Sequence, residues 1–285
     1  MSKRVLVAYD TSEQAEYALT HALNSFEDAD IVLFHVVEPF ADHTSAAGYD
    51  GPRYREQLES SERMLADVQD SYDDERIETV AEYGRPTHMI LRHIEHNSID
   101  HVVIGSHGRD GAARLLLGSV AETVARRSPI PVTVVRKPPE GFESPGHVLV
   151  PFEASTSARR ALEYALDQFG QADVTALYVA YPAAEGARDR DTVFDVLEDW
   201  DARRAEHIGS ILDEAKALAT EHDRSIQTKN VDGQPPEAIV DFTEENDVDH
   251  VVIGSTGRDG LARLLLGSVA ETVIRRSPVS VTVVK

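Results

Sequence analysis

The chain opens with Arg4-Val-Leu-Val-Ala-Tyr-Asp10, an apolar run without alternation, as suits a strand covered on both faces. Ala15, Ala18, Leu19, Ala22, Leu23 and Phe26 follow at the spacing of one helix face, and Ser12 stands where a helix cap belongs. Ile31–Val37 predicts a second buried strand, ended by Pro39, and the polar, glycine-containing stretch 41–54 predicts a loop. Helical periodicity resumes through Leu58, Met64, Leu65 and Val68. Ile77–Glu82 alternates as a third strand, and Gly84-Arg-Pro86 turns into a helix carrying Ile90, Leu91 and Ile94. His101–Ile104 reads as a fourth strand and Val132–Val135 as a fifth. Between them lie a glycine-bearing segment and a short helix with Ala121, Val124 and Ala125. Strands alternating with helices predict βαβ units, and right-handed crossovers make them a doubly wound α/β sheet flanked by helices.

The second half repeats this order. Val148–Phe152 matches the first strand, and Ala158, Ala161, Leu162, Ala165, Leu166 and Phe169 reproduce the first helical stripe. Val174–Ala180 is strand two again, and Gly233-Gln-Pro235 matches Gly84-Arg-Pro86. The offset between the copies is 143 residues early and 149 late, and composition places the six extra residues in the polar, acidic stretch Pro182–Asp199. The run Arg136–Gly146 is a linker by its Pro and Gly content, stiff because of its prolines. Two tandem domains are therefore expected, residues 1–137 and 147–285, joined by linker 138–146.

The closest repetition lies in one 36-residue stretch, Asp100–Val135, which recurs as Asp249–Val284. Only His107/Thr256, Ala112/Leu261, Ala125/Ile274, Ile130/Val279 and Pro131/Ser280 differ. Each copy holds G-x2-G-x9-G-S: Gly105, Gly108, Gly118 and Ser119, then Gly254, Gly257, Gly267 and Ser268. Glycines past a strand end let the backbone approach a ligand and take positive φ. The helix opened by Gly118-Ser119 presents N–H groups and a positive dipole end, which suit an anion. The pattern is neither a Walker A loop nor the Rossmann G-x-G-x-x-G. The same residues also read as turn glycines and a capping box, Ser119 with Glu122 and Ser268 with Glu271. The two readings are compatible, because a capping hydroxyl still has a proton to donate.

Arg109 and Arg258 lie inside the segment, placed to meet phosphate oxygens or neighbouring carboxylates. Arg114 and Arg263 rank below them. His107 becomes Thr256, which argues against a shared catalytic role, and His101 and His250 read as structural. Arg126-Arg127 and Arg275-Arg276 fall in last helical turns, where cations suit the dipole. The histidines show no metal-ligand spacing.

Charge narrows the function classes. With 50 acidic against 28 basic residues the net charge is −22, so nucleic acid and anionic membranes are not expected as partners. Only 5 of the basic residues are Lys, cysteine is absent, and the composition resembles that of salt-accumulating halophiles. Without a signal-type apolar segment or an 18-residue apolar run, a cytoplasmic location is expected.

The apolar strand, G-x2-G-x9-G-[ST], a V-x-E-x-V helix and an S-P-x-P-V-x-V-V strand together resemble the universal stress protein family, twice over and across nearly the whole chain. The resemblance implies a five-stranded parallel sheet of order 3-2-1-4-5 in each half. With both glycine motifs intact, it implies the ATP-binding type. It places Asp10 on the adenosine side, Val36 or Val37 at adenine through backbone groups, and Gly105, Gly108, Gly118, Ser119 and Val120 around ribose and phosphates. The second set is Val179 or Ala180, then Gly254, Gly257, Gly267, Ser268 and Val269, with Glu153 replacing Asp10.

The expected ligand is ATP, with ADP or AMP as alternatives. ATP carries about four negative charges and local cations are scarce, so Mg or Mn is expected with it. Family domains pair through the fifth strand, which implies an intramolecular pseudo-dimer; a further homo-oligomer and an unidentified protein partner stay open. The implied role is a nucleotide-dependent stress-response or signalling module with no catalytic residue set. A slow ATP-hydrolysing or phosphotransfer enzyme and a nucleotide-free scaffold are the alternatives.

The charge reading is testable by thermal melts in KCl. Going from about 0.1 M to about 3 M shrinks the screening length from ~10 Å to below 3 Å and should raise the melting midpoint. An unchanged or lower midpoint contradicts the halophile reading.

Overall fold

The computed structural model describes residues 2–38, 51–108, 117–139, 141–181, 194–256 and 266–285. The chain divides into two compact units, Met1–Ser144 and Pro145–Lys285.

The first unit runs β1 (Arg4–Ala8), α1 (Glu13–Ser25), β2 (Asp30–Val37), α2 (Gly51–Tyr72), β3 (Ile77–Tyr83), α3 (Pro86–His96), β4 (His101–Gly105), α4 (Ser119–Arg127) and β5 (Val132–Val135). All pairings in it are parallel, in the order β3-β2-β1-β4-β5. The second unit runs β6 (His147–Pro151), α5 (Thr156–Gln168), β7 (Asp173–Ala180), α6 (Phe194–Glu221), β8 (Gln227–Asp232), α7 (Pro235–Glu245), β9 (His250–Gly254), α8 (Ser268–Arg276) and β10 (Ser280–Val284). Its parallel order, β8-β7-β6-β9-β10, is the same 3-2-1-4-5 arrangement.

The unbroken apolar strands are explained by cover on both faces. On one face Val5, Val7, Ile31, Leu33 and Val103 pack against Ala15, Ala18, Leu19 and Ala22 of α1 and Leu65 of α2. The next residue along β2, Phe34, points the other way and meets His93 of α3 at 4.6 Å between ring centroids. The second unit packs α5 and α6 on β6, β7 and β9 in the same manner, with Leu162, Ala165, Ile211, Ala215 and Ala219 buried. Each fully buried Leu or Phe contributes about 1.5–3 kcal/mol.

Two arginines fix how the first helix of each unit ends. Arg76 donates to the carbonyls of Phe26 at 2.9 Å and Glu27 at 2.7 Å; Arg224 donates to those of Leu166 at 3.1 Å and Ala172 at 2.8 Å. Carbonyls at a helix end lack intrahelical partners, so a guanidinium from a neighbouring element satisfies several at once.

One expectation changes and another is made more specific. The loop expected at 41–54 gives way to α2 at Gly51, since proline at 52 tolerates a helix's first turn, where its missing N–H has no partner. The six extra residues, expected within Pro182–Asp199, fall at the start of α6 and leave the connection before it unlengthened. Fourteen positions separate the end of β2 from the start of α2, and fourteen separate β7 from α6, whereas α6 has 28 residues and α2 has 22. The insertion is taken up as helix, α6 being longer than α2 by six residues, about 1.7 turns.

Gly105 ends β4 beneath the first turn of α1. A Cβ there would lie 2.8 Å from Gln14 Cβ and 2.9 Å from the Gln14 carbonyl oxygen; at Gly254 it would lie 2.7 Å from Ser157 Cβ. Gly105→Ala and Gly254→Ala should each cost about 1–3 kcal/mol in denaturant unfolding, by overpacking alone. Wild-type stability in either variant contradicts this packing.

Candidate functional site

From β1 the chain moves outward to β2 and β3 on one side, then returns to place β4 and β5 on the other. The strand order thus reverses between β1 and β4, and open α/β sheets hold ligands in the crevice outside the carboxyl ends at such a point. In the second unit that crevice lies between β6 and β9.

Its floor is a three-residue turn. Asp10 follows β1, Thr11 takes φ +66°, and Ser12 caps α1 by accepting from the Ala15 N–H at 3.2 Å. Ser12 also donates its backbone N–H (3.1 Å) and its hydroxyl to Asp10 Oδ1. A β-branched residue at positive φ is unusual and is held only where its surroundings determine it. The second unit repeats the turn as Glu153, Ala154 at φ +61° and Ser155, whose hydroxyl donates to Glu153 Oε1 and accepts from the Ala158 N–H at 3.1 Å.

The other wall is the glycine segment. Ser106 N–H donates to the Val135 carbonyl at 2.9 Å, and Gly118 N–H returns to the Ser106 carbonyl at 2.7 Å, closing the segment at its base. Ser255, Val284 and Gly267 do the same at 2.8 and 2.7 Å. A Cβ on Gly108 would lie 2.5 Å from Asp10 Oδ2, so the carboxylate at the end of β1 abuts the segment after β4. A Cβ on Gly118 would lie 3.2 Å from His107 Cα. Arg109, Gly257 and Arg258 lie outside the described residues.

Two sequence expectations fail here. Among the described residues the glycines at positive φ are Gly84, Gly141 and Gly233, none in the glycine segments, where close approach is the reason for glycine. Nor is there a capping box. The N-caps are Gly118 and Gly267, with no side-chain cap bond, and Ser119 and Ser268 are already the first helical residues. Helical backbone carries their hydroxyls away from the N–H groups a cap would reach. Glu122 and Glu271 instead pair with Arg126 at 3.0 Å and Arg275 at 3.3 Å, one turn on. Ser119 and Ser268 are exposed, and Val120 and Val269 are half-buried behind them.

The third side is the end of β2. Tyr9 N–H donates to the Phe34 carbonyl at 2.9 Å, so Phe34 turns its backbone to β1; Gly84 N–H donates to the Val37 carbonyl at 3.0 Å. Backbone direction alternates along a strand, so Val36 faces the β1 side just beyond where β1 ends. Phe152 to Leu177 at 2.8 Å and Gly233 to Ala180 at 2.9 Å place Val179 likewise. The carbonyls of Val37 and Ala180 are taken within the sheet.

The surroundings are mainly acidic or neutral. On the outer first turn of α1, Glu13 is held below the usual carboxylate range by the Tyr17 hydroxyl and by Lys137, 3.2 Å away. Burial, and then the bond to Glu16, push the Tyr9 phenol up, so it stays a neutral donor. His101 and His250 sit far below, buried at the start of β4 and β9 and bonded to Thr133 and Thr282, each at 2.8 Å. They are structural. Among the described residues no cluster of His, Asp or Glu could hold a metal ion unaided, and no helix is long and apolar enough to cross a membrane.

This geometry can be set beside known proteins. The model of the universal stress protein family matches residues 1–136 and again 145–285. The chain belongs to the universal stress protein family. A universal stress protein of Mycolicibacterium smegmatis is 34% identical over 138 residues, 46% of this chain and 45% of that protein. One from Methanocaldococcus jannaschii is 45% identical over 74 residues, 26% of this chain and 44% of that one. Each of these matches spans less than half of the relative's length. The crystal structure of a universal stress protein from Archaeoglobus fulgidus aligns with a TM-score of 0.66 at 25% identity, over 100% of this chain and 97% of that one.

In this universal stress protein the residues that periodicity does not flag are Thr11 and Ala154, whose positive φ builds the floor, and Gln14 and Ser157, which press on the glycine ends. The Asp-x-Ser and Glu-x-Ser spacing between strand and helix carries a signal for the first pair. No signal marks the second, which arises from packing. The capping assignment is testable by denaturant unfolding: Ser12→Ala should cost about 1 kcal/mol. Ser119→Ala should stay within about 0.5 kcal/mol of wild type. A larger loss at Ser119 means that it caps after all.

Proposed function

We propose that this universal stress protein binds ATP, with ADP or AMP as lesser alternatives, in both crevices and acts as a nucleotide-dependent stress-response or signalling module of the cytoplasm. The observation that carries the reading is the contact of Asp10 with Gly108 across the switch point, in the same segment whose next residue back, His107, lies against the glycine N-cap of α4. Phosphates at Gly118, Ser119 and Val120 gain first-turn N–H groups and the positive end of the helix dipole. The Ser119 hydroxyl, which makes no cap bond, adds a donor. Asp10 takes the ribose or adenine side, and the backbone of Val36 meets the base. Gly254, Gly267, Ser268, Val269 and Val179 form the second set, to which Gly257 and Arg258 belong by sequence, as Arg109 does to the first.

The net charge of −22 opposes a polyanion, so Mg or Mn accompanies the phosphates and neutralises part of their charge. Glu153 carries one methylene more than Asp10 in the same turn, so the second crevice binds more weakly. Pairing of the two domains through their fifth strands, any homo-oligomer and a protein partner belong to the same reading. Hydrolysis lacks a positioned base and a second cation among the described residues, so turnover is slow.

Mass spectrometry of denatured, freshly purified protein should release adenine nucleotide; none, together with no uptake in equilibrium dialysis, favours a nucleotide-free scaffold. Asp10→Ala should weaken dialysis binding at the first crevice by roughly tenfold, the value of one hydrogen bond to a charged group. Glu153→Asp should strengthen the second. Single-turnover phosphate release faster than roughly one per minute would instead identify an enzyme.

A further inference from the structure

The two units differ in their buried histidines: the first buries His21, His35, His93 and His101, the second His250, with Tyr178 and Phe242 at the positions matching His35 and His93. One of these differences lies in a buried corner at the start of the fourth strand. His21 on α1 is buried, and the matching position on α5, 143 residues later, is Tyr164. Next to each lies the histidine that opens the fourth strand. The His101 ring meets Phe26 at 4.8 Å and bonds Thr133; His250 meets Phe169 at 4.9 Å and bonds Thr282, while Tyr164 packs on Phe169 at 6.5 Å. The first unit thus buries two imidazoles where the second has an imidazole and a phenol.

The charged groups around the first corner offer a cation little. Lys3 approaches from the segment before β1 and disfavours charge on His101. Arg76, ahead of β3, is turned to the Phe26 carbonyl, and the Asp100 carboxylate accepts from the Arg4 N–H at 2.8 Å. Around the second corner, Arg224 donates to the Phe169 carbonyl at 3.4 Å, and Asp249 accepts from the N–H groups of Gly146 and His147, both at 2.9 Å. The half-buried His147 bonds the Asn246 carbonyl at 3.2 Å and the Thr175 hydroxyl at 2.9 Å. Burial, then His21 and Lys3, hold His101 down at about 3, and burial holds His21 at about 4.

We propose that the buried His21–His101 pair is an acid-sensitive lock, through which mild acid opens the first unit ahead of the second. Both folded values lie below that of an imidazole in the unfolded chain, about 6.5, so the unfolded form takes up protons first. The stabilisation is complete above that value and is lost as pH falls below it toward the folded values. Tyr164 stays neutral throughout the acid range and adds no such dependence.

The test is hydrogen exchange of the full chain at about pH 7 and about pH 5, corrected for intrinsic exchange and read on peptides of β1 and β4 against β6 and β9. The opening constant of the first unit should rise at least about tenfold more than that of the second, one extra proton across that window. His21→Tyr should reduce the excess several-fold, and Tyr164→His should add an acid dependence to the second unit. Parallel changes in both units of the wild type, or an excess undiminished by His21→Tyr, would overturn the proposal. Should His21→Tyr fail to fold, Tyr164→His decides: no added acid dependence in the second unit overturns it equally.

Discussion

The site depends on a reversal of direction within three residues. The chain leaves β1 at Ala8 and must start α1 at Glu13, and it does so by placing Thr11 at φ +66° between a carboxylate and a capping serine. That one turn caps the helix, holds Asp10 Oδ1 on Ser12 and sets Oδ2 against Gly108. The same turn in the second unit, with Ala154 at φ +61°, argues that the geometry belongs to the architecture and not to one local sequence. Strain there is maintained by packing on both sides, since α1 presses its first turn onto Gly105.

Much of the fold was legible in the chain, for physical reasons. Strands covered on both faces must be apolar throughout, and helices covered on one face must repeat at 3.6, so β1, β2, α1 and β5 stand out as written. The glycine motif, and the resemblance that adds Asp10 to it, pointed to the crevice. What escaped was set by three-dimensional packing. The serines of G-S lost their capping role because the preceding glycine took the extended conformation first. Gly105 was visible as a glycine, but its neighbour Gln14 was not.

The two units share details of their backbone: the bonds from Gly118 to Ser106 and from Gly267 to Ser255, helix starts at glycine N-caps, and guanidinium-bound helix ends. Two of the differences fall on chemically consequential side chains: Glu153 stands at the second crevice where the first has Asp10, and Tyr164 stands in the second core where the first has His21.

Native mass spectrometry of the full chain titrated with ATP and Mg²⁺ bears most directly on the central claim. Two crevices of unequal strength predict a population with one ATP that builds up before a population with two, and no third. Absence of any nucleotide adduct, or filling in the statistical proportions of two identical sites, would contradict the account.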